Sequence, residues 1–129
     1  MGDDRTPAEI TATLTEEDAE SVLAAIAAHV KELHPGIDEH TLSAVLADRS
    51  ACHTTLRGPL LIMEAPCGGL EDPCAFHLFR TGKKVPWHGA PIRLWLACLY
   101  REEELRRYIV ESRKVLKKAS REPYMRGML

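Results

Sequence analysis

Apolar side chains recur at helical spacing in the first third of the chain. This stripe contains Val22, Ile26, Val30 and Leu33. The opposite positions are acidic or small, which is typical of a helix with one buried and one solvated face. Thr15 with Asp18 resembles a capping box, and Pro35-Gly36 ends the pattern. The pattern therefore predicts a helix between Thr15 and Pro35.

Two further helices follow from the same kind of pattern. The first covers residues 37–48, where Asp38 is suited to the N-cap and Ile37 can pack on Leu42 as a hydrophobic staple. The second covers residues 101–121, with acids in its first turn and bases in its last turn, as the helix dipole favours. Its predicted apolar stripe contains Leu105, Tyr108, Ile109, Ser112 and Leu116.

Between the second and third helices the pattern changes to short segments rich in apolar, aromatic and branched residues. These segments, residues 53–64, 74–80 and 92–100, are typical of strands, and loops with glycine and proline separate them. Pro59 implies either an edge strand or a break between two shorter strands. The order of helices, strands and a closing helix predicts an α/β domain with a mixed sheet flanked by helices in layers.

Length and composition bound the class of protein. The chain has 129 residues, 45% hydrophobic and 28% charged, which predicts one globular domain over residues 1–129. No apolar run approaches the roughly 20 residues of a membrane span, and the acidic start lacks the features of a secretory signal. We expect a cytoplasmic protein without membrane insertion, whose four cysteines are reduced thiols.

Charge is distributed unevenly along the chain. Residues 1–48 hold 11 acids and 2 bases, whereas residues 49–129 hold 8 acids and 15 bases. An acidic front and a basic back favour a charged surface for a protein partner over general binding of nucleic acid, because the chain as a whole is not basic.

Soft metal ligands are present, but their spacing does not predict a metal site. The candidates are Cys52, His53, Cys67, Cys74, His77, His88 and Cys98. Structural zinc sites take paired ligands two to four residues apart, and the interval from Cys67 to Cys74 is longer. We expect no metal and no cofactor. A relay from Cys52 or Cys67 to His53 or His88 is a further alternative that no local signature supports.

Glu64 ends the apolar run "GPLLIME", where a strand passes into an irregular loop. The surrounding segments resemble the IIA domain of the fructose, mannitol and nitrogen-regulatory class of the bacterial phosphotransferase system. That class has the form S-T-G-I-G-N-G-I-A-I-P-H, a loop P-G-L-x-x-P, and later D-G-x-P-V-H-L-V-F-L-L. Residues 53–64, 68–73 and 88–98 align with these segments. The resemblance spans about residues 10–119, leaves a tail at 120–129, and implies a mostly five-stranded sheet in an α/β/α sandwich.

The resemblance implies a site that departs from the family pattern. Glu64 occupies the position of the phosphorylated histidine, and Arg93 occupies that of a second histidine. The chain then resembles a regulatory, protein-binding domain more than an enzyme, with proteins of the phosphotransferase pathway or regulated targets as partners. We expect Glu64 and Arg93 to face one another. The alternative is that Glu64 is a solvated acid and Arg93 pairs elsewhere.

Other residues complete the predicted pocket. They are Arg49, His53, Thr54, Thr55 and His88. An active phosphocarrier that uses a displaced histidine, either His53 or His88, is the competing interpretation, because a neutral imidazole nitrogen can accept a phosphoryl group.

Overall fold

Five strands form a mixed sheet with helices on both of its faces. The computed structural model describes residues 10–119. In chain order the elements are β1 (Ala12–Leu14), α1 (Ala19–Leu33), α2 (Glu39–Ala47), β2 (His53–Arg57), β3 (Leu60–Pro66), β4 (Cys74–Trp87), β5 (Ala90–Tyr100), a 3₁₀ turn (Glu102–Glu104) and α3 (Leu105–Ala119). The predicted α/β/α sandwich is confirmed.

The strand order in the sheet is β1-β4-β5-β3-β2. β4 and β5 form an antiparallel hairpin, and β3 runs parallel to β5. β1 joins β4 in parallel at one edge, and β2 joins β3 in antiparallel orientation at the other. β3 and β5, which together position Glu64, therefore lie in the interior of the sheet.

Separate cores fill the two sides of the sheet. One core lies against α1 and α2 and includes Ile26, Phe79 and Trp95, whereas the other includes Leu96 and Tyr108 of α3. Successive residues of a strand point to opposite faces, so β3 contributes to both cores. Leu61, Met63 and Ala65 join the first core, and Leu60 and Ile62 join the second.

The first helix begins later than its pattern predicts. Asp18 is the N-cap and accepts a hydrogen bond from the Ser21 backbone N–H at 2.8 Å, so the prediction of a start at Thr15 is wrong. Leu33 is 51% exposed, and the buried stripe ends at Val30. The second helix confirms its predicted cap, because the Asp38 carboxylate accepts from the backbone N–H of His40 and Thr41.

The strand boundaries contain one confirmation and one correction. Gly58, with φ of 58°, lies with Pro59 between β2 and β3, which confirms a break into two shorter strands. The segment after residue 80, predicted as a loop, instead extends β4 through an irregularity between Arg80 and Val85. His88 and Gly89, with φ of 47° and 85°, make the two-residue turn, since twisted strands favour turns with positive φ.

The buried face of α3 is rotated relative to the predicted stripe. Tyr108, Ser112 and Val115 are buried, whereas Leu105 and Ile109 are 46% and 41% exposed. The prediction counted Leu105 and Ile109 as core and omitted Val115. The sheet covers only one side of this helix, and that side is centred on Tyr108.

Candidate functional site

Glu64 is the fifth residue of β3, and its half-buried side chain points toward α3. In the sheet it lies between His53 of β2 and Cys98 of β5, which are its partners in register. Directly opposite residues on neighbouring strands share a face, with Cβ atoms about 5 Å apart. The exposed imidazole of His53 and the buried thiol of Cys98 therefore flank this carboxylate.

Tyr108 of α3 donates a hydrogen bond from its hydroxyl to the Glu64 carboxylate. Its ring is stacked on Tyr100 at 4.5 Å and on Phe76 at 5.8 Å between centroids. Burial raises the pKa of Tyr108 well above its ordinary value, and its neighbours Cys98 and Glu64 raise it further. The hydroxyl therefore stays protonated and serves as a donor, and donation to a carboxylate is among the stronger kinds of hydrogen bond.

The cysteines near this site are poor nucleophiles. Burial, followed by the charge of Glu64, raises the pKa of Cys52 to about 11 and that of Cys98 further still. Burial alone raises the pKa of Cys67 to about 11. Because the thiolate is the reactive form, these side chains are inert thiols at neutral pH. This chemistry does not favour the alternative of a cysteine–histidine relay.

Arg93 lies far from Glu64, so the expectation that the two side chains face one another is wrong. In the parallel pair of β3 and β5, Glu64 lies opposite Cys98, five residues beyond Arg93. Five strand residues span roughly 16 Å. The Arg93 guanidinium donates from Nη2 to the Gly82 carbonyl at 3.2 Å, beside the irregular part of β4. The predicted pairing failed because it rested on neighbouring strands without their register.

The other predicted pocket residues divide into two places. Thr54 and Thr55 belong to the edge strand β2, opposite Met63 and Ile62. Arg49 and His88 instead both contact Trp87: the guanidinium lies 5.4 Å from the ring centroid, and the imidazole packs edge-on at 4.2 Å. Of the predicted set, only His53 is brought directly beside Glu64.

Sequence reasoning missed the aromatic stack of Phe76, Tyr100 and Tyr108, in which Tyr108 bonds Glu64. Phe76 and Tyr100 appeared only as strand formers, and Tyr108 only as part of an apolar helix stripe. These residues come from β4, β5 and α3, and no local motif links them to Glu64. The available signal was a tyrosine on an apolar stripe, since a buried hydroxyl requires a polar partner.

A second polar contact lies on the opposite side of the sheet. The Nε2 atoms of His34, at the end of α1, and His77 of β4 are 2.9 Å apart, so one imidazole donates to the other. Burial, followed by the charge of His34, lowers the pKa of His77 to about 4. The His77 imidazole is therefore neutral at physiological pH.

A pocket of about 320 Å³ also opens on the α1 and α2 side of the sheet. It lies between the start of α2 and the loop after β3, and its walls include Ile37, Leu42 and Cys67. Gly36 and Gly69 approach so closely at its base that a Cβ on Gly69 would lie 2.2 Å from the Gly36 carbonyl oxygen. The Glu64 side chain is not part of its lining.

Neither a metal cluster nor a membrane span is found in residues 10–119. No three histidine, cysteine or acidic side chains in this range converge on a position that could hold a metal ion. None of the helices described is both long and apolar enough to cross a membrane.

The arrangement of elements is that of a known structure. Nitrogen Regulatory Protein IIA-Ntr from Neisseria meningitidis superposes with a TM-score of 0.73, covering 94% of this chain and 84% of that chain, at 14% identity. This chain has the IIA-Ntr fold. At that identity the IIA-Ntr likeness shows the fold alone. No family model and no curated protein matches the chain.

Proposed function

We propose that this chain is a regulatory, protein-binding domain of the nitrogen-regulatory IIA type, with Glu64 at the phosphoacceptor position. The IIA-Ntr fold over 94% of the chain supports the type of domain. The placement of Glu64 within β3, where the motif alignment puts the family's histidine, supports the assignment of the position. Under this proposal the domain is cytoplasmic, catalyses no reaction and uses no cofactor.

The single observation that carries the proposal is the hydrogen bond from Tyr108 to Glu64. A phosphocarrier needs an acceptor atom with a free lone pair that an incoming phosphoryl group can approach. Here the corresponding side chain is a half-buried carboxylate that already accepts a hydrogen bond from Tyr108 of α3, whose ring is stacked on Tyr100 and Phe76. A carboxylate supplies negative charge without a phosphoryl group, although with fewer acceptor oxygens than phosphate has.

The partners under this proposal are proteins. They are components of the phosphotransferase pathway or targets that IIA-type domains regulate. A constant carboxylate at residue 64 would make binding independent of the phosphorylation state of the pathway.

The test is a phosphorylation assay with phosphoenolpyruvate, the general phosphotransferase enzyme and the histidine phosphocarrier. The natural chain is expected to take up no acid-labile phosphate. Glu64→His is expected to gain it, because it restores an imidazole at the proposed acceptor position. Glu71→His, at an exposed loop position, is the matched control and should gain none. A Glu64→His variant that stays unlabelled would remove the assignment of this position.

One observation favours a second candidate, an active carrier that uses His53. Its imidazole lies directly opposite Glu64 in the β2–β3 pair and is exposed to solvent. Acid-labile phosphate on the natural chain that disappears in His53→Asn would establish this carrier and overturn the regulatory proposal. His88→Asn is the control for His53, because His88 lies against Trp87 at the hairpin turn.

A further inference from the structure

The outward side of α3 combines exposed apolar side chains with bases. This surface, the α3 outer face, consists of Leu105, Arg106, Ile109, Val110, Arg113 and Lys117. We propose that the α3 outer face is a docking surface for an acidic amphipathic helix of another protein. The inference is independent of whether a phosphoryl group reaches residue 64.

The apolar part of the α3 outer face is unusual for this molecule. Leu105, Ile109 and Val110 are 46%, 41% and 52% exposed, and they are three of the five large exposed hydrophobic residues within 10–119. Residues three or four apart are neighbours on a helix surface, so Leu105 and Ile109 are adjacent on α3. Neighbouring exposed apolar side chains mark interaction sites more often than isolated ones do.

The buried side of α3 shows that this surface is not a displaced core. Tyr108, Ser112 and Val115 already fill the contact with the sheet, and Tyr108 is fixed by Glu64. Rotating the helix to bury Ile109 would break that hydrogen bond and expose Val115. Among residues 10–119, no other segment therefore covers the apolar side chains of the α3 outer face.

The charge of this surface defines the partner. Arg106 and Arg113 make no ion pair with any other residue in the described part of the chain, whereas the nearby Lys114 pairs with Glu111 at 3.6 Å. The bases of this surface lie between its apolar side chains. A complementary partner is a helix with a stripe of leucines to contact the apolar side chains and acids beside that stripe to contact the bases. Such a partner would bury the apolar side chains and pair the arginines at the rim.

Other occupants fit less well. A second copy docked on this surface about a two-fold axis would bring the bases of one copy against those of the other, and like charges in contact are unfavourable. Nucleic acid would leave Leu105, Ile109 and Val110 against phosphates. A bilayer surface would favour aromatic anchors, and the α3 outer face has none.

The test uses a fluorescein-labelled helical peptide of about 18 residues, with leucines on one stripe and glutamates elsewhere, in an anisotropy titration with the full chain. Saturable binding that weakens as salt increases is expected. The same peptide with lysine in place of glutamate should not bind. Absence of binding by the acidic peptide, or equal binding by the basic one, would overturn the proposal.

Variants locate the binding. Val110→Glu and Arg113→Glu should each weaken binding about tenfold or more, since each removes a favourable contact and adds repulsion. Leu33→Glu and Lys84→Glu are matched controls on other exposed positions and should bind as the natural chain does. Val110 is chosen because it is the most exposed of the three apolar side chains. Circular dichroism verifies that each variant is folded.

Three further results would contradict the proposal. They are equal effects of the control and test variants, tighter binding of duplex DNA or phosphatidylglycerol vesicles than of the acidic peptide, and self-association through this surface. Sedimentation of the natural chain and of Val110→Glu decides the last of these.

Discussion

The hydroxyl of Tyr108 donates a hydrogen bond to the carboxylate of Glu64, and this contact joins the third helix to an interior strand of the sheet. Each of the two residues lies in a segment whose local pattern is mainly apolar, and neither pattern indicates the other residue as its partner. Their contact decides what the carboxylate can do, because it turns an acid at the end of an apolar run into a fixed acceptor.

The first prediction concerns this contact. Tyr108→Phe removes the hydroxyl that donates to Glu64 and leaves this half-buried carboxylate without that hydrogen bond. The free energy of unfolding should therefore fall by about 2 kcal/mol. Urea denaturation measures the change. Tyr100→Phe is the matched control, since Tyr100 stacks on the same ring without a hydrogen bond to Glu64, and it should cost well under half as much. Equal losses in both variants would show that the hydrogen bond contributes nothing.

The histidine pair predicts how stability depends on pH. The folded pKa of His77 is about 4 against an ordinary value of 6.5. Between these values the unfolded chain binds a proton that the folded chain does not, so stability falls as pH drops through this range and the contribution levels off below about 4. The total is about 3 kcal/mol for a shift of this size.

Denaturant unfolding at pH 7 and pH 5 measures this dependence. His77→Phe should flatten the curve between the two, whereas His40→Asn, at an exposed position of α2, should leave it unchanged. If His77→Phe keeps the full slope, other groups are responsible for it.

Gly69 is predicted to be intolerant of a side chain. Its φ is +86°, and a Cβ there would meet the Gly36 carbonyl oxygen at 2.2 Å. Gly69→Ala should therefore lower the free energy of unfolding by about 2 kcal/mol or more, from backbone strain together with the clash. A Cβ added at the neighbouring Gly68 would meet nothing within 4 Å, so Gly68→Ala should be near neutral. Thermal melts of the two variants compare them directly.

The four cysteine thiols should be unreactive in the folded chain. All are buried, and the raised pKa of Cys52 and Cys67 leaves little thiolate at neutral pH. An Ellman assay should detect almost no thiol within minutes under native conditions and all four in denaturant. A single thiol that reacts at once in the folded chain would revive the alternative of a thiol-dependent function.

Sequence patterns predicted the features that depend on near neighbours. Asp38 as a helix cap and the break at Pro59 both follow from interactions within a few residues. The α/β layering follows from the order of elements. Glu64 stands out for a similar reason, since a charged residue directly after four apolar ones is visible in the chain itself. The predicted end of the strand at Glu64 is wrong, because β3 continues to Pro66.

Features that depend on register could not be predicted in this way. The separation of Arg93 from Glu64 is set by the pairing of β3 with β5, and a shift of a few residues would change it without altering any local pattern. The extension of β4 to Trp87 was missed because Gly82 and Pro86 resemble loop residues. The hairpin pairing with β5 overrides that preference.

The alternation of side chains along β3 has a consequence for how the molecule can evolve. Met63 and Glu64 are adjacent in sequence, yet they belong to opposite sides of a sheet whose interior is filled separately on each side. A substitution at residue 64 alters the contact with α3 first, whereas the sheet separates residue 64 from the pocket beside α2. The two sides of this small domain can thus change independently, one on each side of that partition.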